Sequence, residues 1–208
     1  MPMPTIRESQ GSAEIGWGFQ LQWILVTLVG FLTSLYWIEV GGTPDLNAVE
    51  GVIGGGAIAI AQWFVIRQKF PRAGWWIPVS VFGWGVLGLS HIGAIGWIVP
   101  STSSIYLRIL YGVLNGAQVG LLMGVAQWLV LRRSVPMSVP KAERWILASV
   151  AGWTVGLSLG WTMGEVLHRI TGIFLGEVVG LTLAWVVVAA VTGPTLIRLA
   201  GRRIPEDG

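Results

Sequence analysis

"GVIGGGAIAIAQWFVIR" (51–67) and "GAQVGLLMGVAQWLVLR" (116–132) decide how this chain folds. Each is an apolar run close to the roughly 20 residues that cross a bilayer core. The two match at Gly51/Gly116, Gly55/Gly120, Gln62/Gln127, Trp63/Trp128 and Arg67/Arg132. Residues four apart share a helix face, so Gly51, Gly55, Ala59, Trp63 and Arg67 make one stripe, and Gly116, Gly120, Gly124, Trp128 and Arg132 make another. In lipid, burying one aliphatic side chain against another gains little over burying it in acyl chains, so helices associate where small residues let backbones approach. The stripes therefore read as helix–helix seams, with a glycine-lined path for a solute as the alternative.

Outward from these two segments, the chain holds apolar runs at about 19–39, 50–67, 75–98, 107–131, 145–167 and 173–199. Hydrophobic residues make up 53% and charged residues 11%, and mean hydropathy is +0.70. A soluble domain has about a quarter of its residues charged. The expected fold is therefore an all-α integral membrane bundle of six transmembrane helices in a single domain, 1–208. The absence of Cys excludes disulfides and thiolate chemistry. The first fifteen residues lack the basic and apolar regions of a signal peptide.

The odd-numbered runs share a second phrase. "WILVTLVGF" (23–31), "WIPVSVFGW" (76–84) and "WILASVAGW" (145–153) each begin with Trp, carry Thr or Ser four residues on, and end in Gly and an aromatic. Their small faces include Gly30, Gly83 and Gly152, which complement the even helices as packing positions. Three helical-hairpin repeats are expected, at about 17–67, 75–133 and 145–200. The sixth run keeps its glycines but lacks Gln-Trp.

Lys and Arg gather in the even-to-odd connections (Arg67, Lys69, Arg72; Arg132, Arg133, Lys141, Arg144) and the C-terminal tail (Arg198, Arg202, Arg203). The positive-inside rule then puts these loops and both termini in the cytoplasm. The net charge of +3 reflects topology and suits anionic headgroups rather than nucleic acid.

Gln62 and Gln127 stand roughly 7 to 8 Å inside their arginines, given about 1.5 Å of rise per residue. An amide at that depth needs a partner, because unsatisfied polar groups in hydrocarbon are costly. An interhelical hydrogen bond supplies one, with Trp and Arg at the interface; a headgroup or cofactor edge is the other reading. His91 falls on the small face of its helix and is a structural, proton-handling, or haem- or pigment-ligating residue. No cofactor is otherwise expected. Glu39, Asp45, Glu50, Glu165 and Glu177 lie toward the opposite border and read as a solvated acidic rim. Glu165 and His168, at i and i+3, are the alternative as weak metal ligands. No phosphate loop, nucleophile elbow, zinc-protease motif or dinucleotide fingerprint occurs, which argues against an enzyme.

The QW-x-V-x-R phrase followed by a Trp-led W-x-x-A-S-x-x-G-W helix resembles a group of uncharacterised multi-pass membrane proteins of cyanobacteria and other bacteria. The resemblance covers nearly the whole chain and implies a six-helix repeat protein in a plasma or thylakoid membrane, without an activity to carry over. Two function classes follow. One is a scaffold, as an accessory subunit of a larger membrane complex, or a binder of an apolar molecule such as a lipid, quinone or pigment. The other is a small transporter or channel built on parallel repeats.

Overall fold

Six helices follow one another along the chain: α1 (Ile6–Ser34), α2 (Ala48–Ile66), α3 (Trp76–Leu89), α4 (Ile105–Ser134), α5 (Val139–Thr171) and α6 (Leu175–Ala200). The computed structural model describes residues 6–41, 47–70, 72–90, 92–134 and 139–200; Asp45, His91, Arg202 and Arg203 lie outside them. The protein is an all-α bundle. Its helices form a closed ring in which α1 packs on both α2 and α6, and the seam between α3 and α4 is the sparsest between chain neighbours.

Five helices are long and apolar enough to cross a membrane, and the third apolar run does not continue as one helix. α3 has 14 residues, about 21 Å at the usual rise, less than the roughly 30 Å of a hydrocarbon core. Ser90 stops it by folding its hydroxyl onto Leu87 O at 2.6 Å. Gly93 then takes φ +67°, a left-handed conformation that suits glycine. The next residues turn back into the bundle, where Ala94, Ile95, Gly96, Trp97 and Val99 are buried.

Irregular backbone at membrane depth is tolerated only where protein satisfies its polar groups. This segment is satisfied from every side. Trp185 Nε1 donates to Gly96 O at 3.2 Å, Trp161 Nε1 to Ile98 O at 2.9 Å, and Val99 N to Gly41 O at 3.1 Å. Trp97 Nε1 in turn donates to Ser34 Oγ at 2.7 Å.

Glycine sets the spacing of the helices. A β-carbon on Gly116 would come within 2.5 Å of Trp153 O, on Gly120 within 2.5 Å of Val150 Cα, and on Gly124 within 3.0 Å of Ser149 Cβ. Gly30 meets Ile58 Cα at 2.7 Å by the same construction, and Gly51 meets Trp84 O at 2.5 Å. Gly55 lies under the Trp84 ring and Gly83 against Met123 Sδ, while Gly152 faces Val188 at an ordinary 3.4 Å.

Local chemistry explains two helix details. Asn47 Oδ1 accepts from Val49 N at 2.8 Å while Glu50 Oε2 accepts from Asn47 N at 3.0 Å, so Glu50 caps α2 rather than standing free. α6 runs on through Pro194. Proline has no N–H for the carbonyl four residues back, and Gln20 Nε2 of α1 supplies the missing donor to Ala190 O at 3.1 Å.

Candidate functional site

The tryptophans that lead the phrase shared by the odd helices converge in the ring. Trp23, Trp76 and Trp145 are fully buried and meet edge to face, Trp23–Trp76 at 5.9 Å and Trp76–Trp145 at 5.8 Å between centroids. One turn along stand Thr27, Ser80 and Ser149, all buried. The even helices present Gln62, Gln127 and Thr192 to this layer. Gln62 Nε2 donates to Thr27 Oγ1 at 3.0 Å, and Gln62 Oε1 accepts from Trp76 Nε1 at 3.0 Å. Gln127 Nε2 donates to Ser80 Oγ at a longer 3.3 Å. Trp23 Nε1 donates to Thr192 Oγ1 at 3.1 Å, and that hydroxyl donates to Val188 O at 2.8 Å. Trp145 Nε1 is buried and has no partner.

Between these groups lies an internal cavity of about 30 Å³, lined on its polar side by Gln62, Ser80, Gln127, Trp145, Ser149 and Thr192. Above it the axis is closed by aromatic rings: Trp84 against Trp153 at 5.5 Å, Trp153 against Trp185 at 4.7 Å, Trp97 against Trp84 at 5.1 Å and Phe31 against Trp185 at 5.8 Å. Among the described residues these rings fill the axis above the cavity.

Trp63 and Trp128, next to the glutamines, are half-buried at the edge of the core. Arg67 Cζ sits 4.5 Å over the Trp63 ring and Arg132 Cζ 5.3 Å over Trp128. An arginine one turn past a tryptophan stacks on it, joining a weakly hydrated cation to an amphipathic ring. The Gln-Trp-x-x-x-Arg phrase thus combines an inward amide with a half-buried Trp that packs on the core and carries an Arg on its ring.

Of the acidic rim, Glu39 is exposed as expected, and Glu165 and Glu177 are corrected by the structure. Glu165 and Glu177 are 4% and 3% exposed, because both reach Arg108, itself 3% exposed. All five N–H bonds of that guanidinium find acceptors. Nη1 donates to Glu177 Oε2 at 2.8 Å and Trp161 O at 3.0 Å. Nη2 pairs with Glu165 Oε2 at 2.7 Å and donates to Pro100 O at 3.2 Å, while Nε donates to Thr102 O at 2.7 Å. Arg169 Nε adds a 2.6 Å bond to Glu165 Oε1 and reaches Ser103 O. The i,i+4 partner of Glu165 is therefore Arg169, and His168 instead places Nδ1 3.1 Å from Ile173 O. Among the described residues no group of three acidic or histidine side chains could hold a metal.

Two grooves open on the outer surface. One, about 800 Å³, lies between α1 and α2 over Val29, Gly30, Ile53 and Ile60. The other, about 810 Å³, lies between α3 and α4 and is lined by Trp75, Pro78, Phe82, Leu121, Val125 and Leu129. The turn of α4 after Leu129 carries Arg132 and Arg133, and Arg72 Nη1, from the residues just before Trp75, donates to Arg133 O at 3.0 Å.

Sequence reasoning brought Gln62 and Gln127 to the layer but missed Thr192, Trp145, Arg108 and Gln20. Arg108 carried a signal: it is a lone arginine four residues into an apolar helix. No protein-family model, curated protein or solved structure matches the chain.

Proposed function

We propose that this chain is a non-enzymatic integral membrane protein, a binder or accessory subunit, that holds a lipid in the groove between α3 and α4. The observation that carries this reading is the groove itself. Its size falls in the range of ligand pockets, roughly 300–1,000 Å³, its walls are the exposed side chains Pro78, Phe82, Leu121 and Leu129, and Arg72 and Arg133 stand within about a turn of the lining residues Trp75 and Leu129. Acyl chains fit the walls, and the guanidinium groups of Arg72 and Arg133 suit a phosphate, which arginine binds through paired N–H donors. The arginine end faces the cytoplasm of a plasma or thylakoid membrane on this reading, where anionic headgroups attract basic residues. The closed aromatic axis supports a binder over a transporter.

We read the three hairpins as copies of one unit around the ring. Supporting this, Gln62, Gln127 and Thr192 are equally spaced in the chain, and Trp23, Trp76 and Trp145 hold corresponding places.

Native mass spectrometry of protein reconstituted from mixed phosphatidylglycerol and phosphatidylcholine tests the function. Retention of phosphatidylglycerol over phosphatidylcholine is expected, with a several-fold loss of that preference in the Arg72→Ala, Arg133→Ala double variant. Equal retention of both lipids, or a visible absorption band from a co-purified chromophore, would overturn it.

A further inference from the structure

The cavity between the two aromatic layers points to a site of its own, independent of the outer groove. On α1, Trp23 and Thr27 both have side-chain partners, Thr192 and Gln62. On α3, Trp76 and Ser80 do too, Gln62 and Gln127. On α5 the same pair of positions is treated differently. Trp145, 1% exposed, has an indole N–H without an acceptor. Opposite Ser149 stands Thr192 in place of a glutamine, with its hydroxyl already committed to Val188 O and Trp23. Trp145 and Ser149 lie one turn apart on one helix face, and both line the cavity.

We propose that this cavity is a hydration site in which water completes the hydrogen bonding of α5. A water accepting from Trp145 Nε1 can donate to Ser149 Oγ and the Gln127 amide oxygen, which gives it the two to four polar partners that a buried water needs. The cavity, about 30 Å³, has room for about two waters and is too small for a larger solute. No charged side chain lines it, so an ion entering it would lose its hydration without a counter-charge. The shorter Thr192 is the origin of the site: where α2 and α4 place an amide, α6 leaves space.

The test uses the full chain, ¹⁵N-labelled at tryptophan, in lipid nanodiscs, with indole resonances assigned by single Trp→Phe variants. A cross-relaxation peak to a long-lived water is expected at the Trp145 indole proton and not at those of Trp23 and Trp76, which are bonded to protein. Thr192→Gln is expected to fill the space, remove that peak and leave the Trp84 and Trp97 resonances in place. If this variant does not fold, a density map of the native protein substitutes, with a peak within hydrogen-bond distance of Trp145 Nε1 expected. No water peak at Trp145, equal peaks at all three indoles, or a void in the map overturns the proposal.

Discussion

Removing the guanidinium of Arg108 tests whether the buried charges are understood. In Arg108→Met the stem volume remains but Glu165 and Glu177 lose their shared cation. Breaking a buried ion pair by deleting one partner costs about 3–5 kcal/mol, chiefly because the other charge is stranded. At about 2–4 °C per kcal/mol for a chain of this size, the apparent Tm should fall by about 6–20 °C. The two carboxylates are not equivalent, and the geometry says which one is stranded. Glu165 keeps Arg169 at 2.6 Å, whereas among the described residues Glu177 has no other cation within salt-bridge range. Adding Glu177→Gln to Arg108→Met should therefore recover most of the lost Tm. Adding Glu165→Gln should recover little, since it leaves Glu177 uncompensated and frees the half-exposed Arg169. Thermal unfolding in detergent, followed by Trp fluorescence, measures both. Equal recovery by the two carboxylate changes, or an unchanged Tm in Arg108→Met, refutes the reasoning.

The glutamine layer and the glycine seams give two more expectations. Gln62→Leu strands Trp76 Nε1 and the Thr27 hydroxyl and should destabilise by about 1–3 kcal/mol; Gln127→Leu, which loses one bond of 3.3 Å, should cost less, and the reverse order in melting experiments counts against the assigned bonds. Gly120→Ala drives a methyl onto the Val150 backbone and should lower stability by about 1–3 kcal/mol, while Gly18→Ala, with nothing within 4 Å, should leave it unchanged or raise it by up to about 1 kcal/mol; equal Tm values for the two would remove the seam.

Much of the architecture was legible because lipid imposes few solutions. Apolar length marks helices, glycine spacing marks seams, and an amide such as Gln62 in hydrocarbon has to find a partner. The end of α3 was not legible, because residues 92–99 are as apolar buried inside protein as they would be facing lipid. Only Ser90 and Gly93 distinguish them, and a hydropathy count is blind to both. Glu177 was misread and Arg108 missed for another reason. Sequence reports charge without depth, and these partners are 69 residues apart, so no helical spacing connects them. Thr192 reads as a degenerate position when only Gln is matched, whereas what it shares with Gln62 is an oxygen that accepts an indole N–H.

The shortness of α3 links features that otherwise look unrelated. A third helix of full length would lie along α4 as α5 does, where Gly116 and Gly120 draw the backbones together. The chain instead spends residues 92–99 inside the ring, placing Trp97 between Trp84 and Trp185 and handing its carbonyls to Trp161 and Trp185. That exchange closes the axis. It also withdraws apolar surface from the outside of the bundle, so Phe82 and Leu121 are left exposed in the groove between α3 and α4. The filled interior and the open flank therefore share one cause, and the flank is where the proposed lipid would sit.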